Sequence, residues 1–292
     1  MMLSDLRKLN SATKYPSIDT YHPIDSKTGM LSEGPMSFSG RVIATEKIDG
    51  ANTRIILRFE ASGDVDYVIG SREEMLHARG DRIPNPALGI VDTAKPFADA
   101  ICEKTRLRYS SDSGTPRWPQ SLYSRVFVLY GETFGGSGIT AASKQYSTQK
   151  KSGFRLFDVL ALGISELDEI LLMPIEKIAG WRDRGGQNEF FLSNSRIVND
   201  LVDDNVPWSL PQMMFQPPII EIGTLPCSIE DTARMLRAVS THTRVSLDGL
   251  DIAGKSEGIV IRTDDRRTIA KLRHEDYDRT LRKRDRRWRA SD

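Results

Sequence analysis

Lys47 closes an apolar stretch, Arg41 to Glu46, and is followed by Ile48-Asp49-Gly50. A lysine can attack phosphorus only as the free amine, and nearby cations, a metal ion or partial burial favour that form. Lys271 and Arg273 stand at alternate positions of Lys-Leu-Arg, so they share one face of any strand that holds them. Glu132, in Tyr130-Gly131-Glu132, and Glu257, in Glu257-Gly258, each sit beside a glycine, which lets backbone and ligand approach closely. Simpler readings compete with chemistry at each position. Lys47 could be a surface lysine beside a tight turn, the glutamates could be exposed strand ends, and Phe157, among Phe154, Leu156 and Val159, could be core.

The order of these stretches weighs against the simpler readings. Lys47-Ile48-Asp49-Gly50, Ser71-Arg72, Tyr130-Gly131-Glu132, Phe157-Asp158, Glu257-Gly258 and Lys271-Leu272-Arg273 follow one another along the chain. In type, order and spacing they resemble the motifs of the covalent nucleotidyltransferases, the superfamily of ATP-dependent ligases and capping enzymes. Within it the chain resembles the RNA ligases of the phage RNA ligase 2 kind, from about Lys14 to Tyr277.

The resemblance implies an α+β fold: a nucleotidyltransferase (ATP-grasp-like ligase) domain of mostly antiparallel sheets flanked by helices. It implies ATP as cofactor, with AMP carried covalently on Lys47, and Mg2+ or Mn2+ placed by Glu257. Carboxylate and phosphate oxygens are ligands that magnesium prefers. Glu132 and Arg72 would contact the ribose, with Arg72 also near phosphate, and Phe157 would stack on the purine. Lys271 and Arg273 would face the phosphates, favour the free amine of Lys47 and stabilise the departing pyrophosphate. Glu46, Asp49, Asn52 and Arg54 complete the implied nucleotide contacts, with holding the turn as the other reading of Asp49. Asn52 lies five positions after Lys47, where DNA ligases and capping enzymes carry arginine. Arg54, two residues on, shares its strand face and could compensate. The family's Lys-x-Lys is Lys-Leu-Arg here, and arginine keeps the charge without the geometry. Only 19 residues follow Arg273, too few for an OB barrel, so no C-terminal OB barrel is expected.

The expected activity is ATP-dependent RNA ligation in RNA repair. It joins RNA 5′-phosphate and 3′-hydroxyl ends through a lysyl-adenylate and an adenylylated RNA, with an end-healing protein as a further expected partner. Two alternatives are a small ATP-dependent DNA ligase and a nucleic-acid-binding protein with a degenerate nucleotide pocket.

The elements that must position these residues follow from apolar periodicity. Strands are expected over 42–45, 53–59, 67–69, 125–130, 154–160 and 258–261, the first two joined by a turn at Asp49-Gly50-Ala51. A strand over 267–272 pairs with the last of these across Asp264-Asp265. A helix is expected over 96–105, and Ser228-Ile229-Glu230-Asp231 reads as a capping box opening another. One adenylyltransferase domain is expected over 1–278, with an insertion at 161–255, and a basic tail over 279–292. Seven of the eleven residues from Arg279 to Arg289 are Arg or Lys, which suits either a solvated helix face or a phosphate-contacting tail ending in Trp288.

The 292 residues carry a net charge of only +1, and 39% hydrophobic with 28% charged residues fit a globular chain. No apolar run is long enough for a membrane span, and the N-terminus lacks a secretory core. Cys102 and Cys227, far apart and without metal-ligand spacing, suggest a cytoplasmic setting and small buried side chains. The four histidines are scattered and read as structural. Gly135-Gly136-Ser137-Gly138 lacks the continuation of a P-loop and reads as a turn.

Overall fold

The computed structural model describes residues 5–60, 64–80, 83–84, 89–109, 124–136, 139–192, 217–249 and 254–289. In chain order the first elements are α1 (Leu6–Ala12), β1 (Asp19–Thr20), β2 (Val42–Lys47), β3 (Ala51–Phe59), β4 (Val65–Ser71), β5 (Met75–Ala78) and β6 (Ile83–Pro84). Then come α2 (Ile90–Tyr109), β7 (Arg125–Gly135), β8 (Ser152–Gly163), α3 (Ile164–Leu172), α4 (Ile175–Asp183) and β9 (Ile219–Ile220). The last are α5 (Ile229–Ser240), β10 (Gly258–Thr263), β11 (Ile269–Arg273) and α6 (His274–Arg289). The fold is mixed α+β, two mostly antiparallel sheets flanked by helices, and neither sheet closes into a barrel among the described residues.

The chain divides into two compact units. The first holds residues 1–16, 50–143 and 150–216, and the second 17–49, 144–149 and 217–292. This partition follows a different line from the expected domain over 1–278. It cuts between Asp49 and Gly50, inside the Lys-Ile-Asp-Gly stretch, and shares 161–255 between both units.

In the first unit six strands run in the order β6-β5-β4-β3-β7-β8, each antiparallel to its neighbours. Side chains alternate between the two faces of a strand. Ile55, Leu57, Phe127 and Leu129 bury one face together with Ala94, Phe97 and Ile101 of α2. Ile56, Val128, Tyr130 and Leu160 bury the other with Leu9 and Ala12 of α1, Leu167 and Ile170 of α3, and Ile178 of α4. Helix α2 starts at Ile90, ahead of Pro96, because Ile90, Val91 and Ala94 extend its apolar stripe. Helix α3 begins where the Glu166 carboxylate accepts the Gly163 N–H at 2.6 Å.

The second unit carries a five-stranded sheet in the order β1-β11-β10-β2-β9, antiparallel except where β1 runs parallel to β11. Ala44, Ile259, Ile261, Ala270 and Leu272 bury one face against Ile229, Ala233 and Leu236 of α5 and Tyr277 of α6. Ser228 caps α5 by accepting the Asp231 N–H at 3.1 Å, as the sequence predicted. β10 and β11 pair across Asp264-Asp265, also as predicted. β2 and β3, in contrast, are consecutive strands of different sheets rather than a hairpin. Gly50 explains the route: a Cβ there would lie 2.3 Å from the Thr133 carbonyl oxygen, so only glycine lets the chain run on beside β7.

Most of the expected basic tail is helix α6. Cys102 is buried and burial pushes its thiol up to about 12, whereas Cys227 is exposed, contrary to the expectation for it. Its loop position before the Ser228 cap leaves it outside the apolar face of α5. His22 is buried between the Tyr277 hydroxyl and the Cys227 carbonyl, at 2.9 and 3.0 Å, a structural role. Ser137 and Gly138 lie outside the described residues; Gly135 and Gly136 adopt positive φ, as a turn requires.

Candidate active site

In the second unit the register of three strands collects the cations. Lys47 on β2 lies opposite Gly258 on β10, which lies opposite Arg273 on β11. Thr45, Val260 and Lys271 form the next such row. Lys47, Lys271 and Arg273 therefore project from the same sheet face, with Lys47 and Arg273 two strand spacings apart, about 9.5 Å. Gly258 between them has no side chain to fill that gap. Its φ of +151° and the 2.0 Å that would separate a Cβ from the Leu272 carbonyl oxygen admit no other residue.

Lys47 Nζ and Glu257 Oε2 form an ion pair at 2.6 Å, with side chains 26% and 21% exposed. The Glu257 backbone is held in turn, its carbonyl accepting the His274 N–H at 3.1 Å. Asp49 is anchored through its backbone: its N–H donates to the Tyr146 hydroxyl at 2.6 Å. Tyr146 is fully buried, and burial raises its phenol above the usual range, keeping the hydroxyl neutral. Glu46 occupies the opposite sheet face from Lys47. It is 2% exposed, and its carboxylate accepts the Thr243 hydroxyl and, at 2.8 Å, the Arg244 N–H.

Arg273 has a partner that the sequence reading missed. Its guanidinium makes a two-pronged pair with Asp276, at 2.8 and 3.0 Å, and Asp276 also accepts from Arg279 at 2.7 Å. Burial alone would lower the Arg273 pKa, but the hydrogen bonds and charge of the buried Asp276 outweigh it and the net shift is upward. A lysine could not span both oxygens this way, which accounts for arginine in Lys-Leu-Arg. The partners lie three positions apart at the start of a helix, a spacing that sequence alone could have flagged.

In the first unit one sheet face is apolar at one end and polar at the other. Asn52 on β3, Glu132 on β7 and Arg155 on β8 lie in one cross-strand row. Asn52 Oδ1 is buried with no hydrogen-bond partner among the described residues. Arg54, on the same face, is completely buried, and its guanidinium donates to the Asn10 carbonyl at 3.0 Å and to Asn10 Oδ1. Burial pushes it down to about 10. Arg54 is thus packed beneath the surface rather than presented beside Asn52. Arg72 is exposed in the bend after β4, 3.8 Å from Glu73, where the Ser71 hydroxyl accepts the N–H groups of Glu73 and Glu74.

Phe157 departs from simple alternation. The register of β7 against β8 shifts there, Tyr130 pairing with Asp158 and Gly131 with Leu156, so Phe157 is the extra residue of a β-bulge. Leu156 and Val159 join the α2 side of the sheet, while Phe157 packs on the other side. Asp158 reaches that side too: it accepts the Tyr15 hydroxyl at 2.6 Å, and Tyr15 packs on Phe157 with ring centroids 5.0 Å apart. Strict alternation would put these two consecutive residues on opposite faces, and the bulge overrides it.

Helix α6 commits most of its described cations to neighbours. Arg279 pairs with Asp276, Lys283 donates to the Thr28 carbonyl at 3.0 Å, and Arg284 bridges Glu33 and Glu230 at 2.9 and 2.7 Å. The side chains from Arg286 onward lie outside the described residues.

A family model described as RNA ligase matches residues 40–273. No curated protein matches the chain. Among solved structures, the chain is similar to an RNA ligase of Naegleria gruberi. An alanine variant with ATP and manganese is 15% identical, covering 91% of this chain and 62% of that one, at a TM-score of 0.45. The same protein with pyrophosphate is 17% identical over 90% of this chain and 62% of that one, at 0.45. An apo variant is 15% identical over 82% and 50%, at 0.44. The chain thus spans less than two thirds of the length of these structures. No helix among the described residues is long and apolar enough to cross a membrane.

Proposed function

The chain belongs to the RNA ligase family, and from that premise we propose that it is an ATP-dependent RNA ligase that seals 5′-phosphate to 3′-hydroxyl ends in RNA repair. The observation that carries the reading is the row of β2, β10 and β11, which gathers Lys47, Lys271 and Arg273 on one face with Glu257 2.6 Å from the lysine.

The reaction runs in three transfers. Lys47 Nζ attacks the α-phosphorus of ATP, a P–N bond forms, the bond to the β-phosphate oxygen breaks, and pyrophosphate leaves. The RNA 5′-phosphate then takes the adenylyl group from Lys47, and the 3′-hydroxyl oxygen attacks that end and releases AMP. Each step needs in-line alignment and charge stabilisation more than proton relays. The Lys47–Glu257 ion pair must open before the amine can act. Lys271 and Arg273 supply positive charge for the pyrophosphate, and the bond to Asp276 fixes the direction from which Arg273 does so. Tyr146 and Thr243 keep Asp49 and Glu46, and so the end of β2, in place. Phe157 is assigned to the purine, Glu132 and Arg72 to the ribose, and the unmet acceptor of Asn52 to a nucleotide group. Arg54 supports this face from within, through Asn10.

The residues suit a divalent cation of the magnesium type. Glu257 offers one half-buried carboxylate, and no group of three or more His, Cys, Asp or Glu stands ready to hold a metal among the described residues. Magnesium is commonly held by one or two carboxylates and substrate phosphates. Bound there, Mg2+ or Mn2+ would neutralise α-phosphate charge and compete with Lys47 for Glu257. We assign the protein to a reducing cytoplasm, where free Cys102 and Cys227 persist, with an end-healing enzyme supplying ends of the right chemistry.

Incubation with α-labelled ATP or GTP and either metal, followed by denaturing electrophoresis, tests the reading. Label from ATP alone, absent in Lys47→Ala, is expected. Label retained in Lys47→Ala overturns the assignment, label from GTP moves the activity to capping, and a preference for nicked DNA over RNA ends moves it to DNA ligation.

A further inference from the structure

Helix α1 ends at Ala12, and the last carbonyls of a helix have no partner inside it. Here side chains from four places in the first unit take them. Arg54 donates to Asn10 O at 3.0 Å, Arg182 to Ser11 O at 2.9 Å, Gln187 to Ala12 O at 2.7 Å and the Tyr130 hydroxyl to Thr13 O at 3.0 Å. Gln187 also reaches Lys14 O at 3.2 Å. Arg54, Tyr130 and Gln187 are completely buried, so these bonds are sheltered from competing water. The backbone of five consecutive residues is thereby fixed, and the residue it delivers is Tyr15.

The Tyr15 ring meets Phe157 edge-on, at 5.0 Å and 73°, and is backed by Tyr130 at 5.0 Å and Phe191 at 6.1 Å. Its hydroxyl donates to Asp158 at 2.6 Å. One side chain therefore touches both consecutive residues at the bulge. That is where contact matters most, because a bulged residue falls outside the regular ladder and its direction is not set by strand pairing.

We propose that Tyr15 is a positioning residue for nucleotide binding. Its ring holds Phe157 at the angle that stacks on the purine, and its hydroxyl, through Asp158, holds the bulge that aims Phe157. The proposal rests on the reading of Phe157 as the base-stacking residue.

Apparent ATP affinity and limiting rate of self-adenylylation, with the thermal midpoint, are measured for wild type, Tyr15→Leu, Tyr15→Phe, Phe157→Leu and the double Leu variant. Loss of a base–aromatic stack corresponds to about a tenfold weaker ATP affinity in Phe157→Leu. Tyr15→Leu is expected to weaken ATP nearly as much with its limiting rate little changed. The double variant is expected to bind no more weakly than Phe157→Leu alone, the non-additivity of residues acting as one unit. Tyr15→Phe, which keeps the ring and the packing, is expected to lose roughly threefold in affinity, a hydrogen bond's worth. A Tyr15→Leu protein with a lower midpoint but wild-type ATP affinity overturns the proposal, as do losses that multiply in the double variant. Should Tyr15→Leu fail to fold, unchanged affinity in Tyr15→Phe overturns the hydroxyl's role and a threefold loss supports it. Undiminished affinity in Phe157→Leu identifies the stacking assignment itself as the failure, and the proposal falls with it.

Discussion

Lys47 and Phe157 are held by different physics. Lys47 ends a strand, a quarter exposed, with one charge partner among the described residues, Glu257 at 2.6 Å. Phe157 sits in a bulge braced by Tyr15, and the five residues before Tyr15 are held through their carbonyls by four side chains, three of them completely buried. An amine that must change partner during a reaction gains from a single, partly solvated ion pair, since such a pair costs little to open. A stacking surface gains from rigidity, because every rotamer frozen in advance is one that binding need not freeze. The comparison predicts that activity and stability respond oppositely in the two regions.

The largest expected effect is on activity. Lys47→Ala should abolish lysyl-adenylate formation, a loss of about a thousandfold or more for a removed nucleophile, while urea unfolding shifts by about 1 kcal/mol or less. Glu257→Gln should follow the same pattern, with a smaller fall in rate. If either variant were strongly destabilised, Lys47 and Glu257 would belong to the architecture and the contrast would break.

Arg54→Met should do the reverse. It removes the buried guanidinium that the half-buried carbonyl and side-chain oxygen of Asn10 accept from, at a cost of about 2 kcal/mol for two weakened acceptors. The thermal midpoint should fall clearly, with any residual folded protein keeping a near-normal limiting rate of adenylylation. A wild-type midpoint with lost ATP binding would instead make Arg54 a direct nucleotide contact.

Arg54 also shows where the sequence stopped being legible. Period-two alternation located β2, β3, β7, β8, β10 and β11 and set Lys271 and Arg273 on one face, because that pattern is local. Whether Arg54 lies at the surface or beneath it depends on α1, forty residues earlier, folding over β3, and no local pattern encodes that. Phe157 is a similar case: the bulge that turns it depends on the register between β7 and β8. Helices α3 and α4 were missed for a different reason. Leu167 and Ile170 do carry helical spacing, but the Glu166 cap acts on Gly163, which has no side chain to signal an N-terminus.

Asp276→Asn should have an intermediate effect that tests the phosphate side more finely. The carboxylate is 1% exposed and accepts from both Arg273 and Arg279. Replacing it leaves two guanidinium groups less well matched, at about 2 kcal/mol by the usual worth of charged hydrogen bonds. Arg273 would then lose its fixed direction, and the limiting rate should fall more than ATP affinity. Equal falls in both would mean that Arg273 binds ATP without favouring the transition state.

The smallest effect is expected in helix α6, where sequence left two readings open. Arg284 is 37% exposed and already bridges Glu33 and Glu230. Arg284→Gln should cost about 0.5 kcal/mol, as exposed pairs do, and leave single-stranded RNA affinity unchanged in a salt titration. A guanidinium that contacted phosphate would instead leave a mark: affinity would drop and the logarithmic salt dependence would flatten by about 0.7 for one lost contact on a single strand. An unchanged slope therefore assigns Arg284 to holding the helix on its own unit. A flatter one assigns it to RNA, with Glu33 and Glu230 as the partners it gives up.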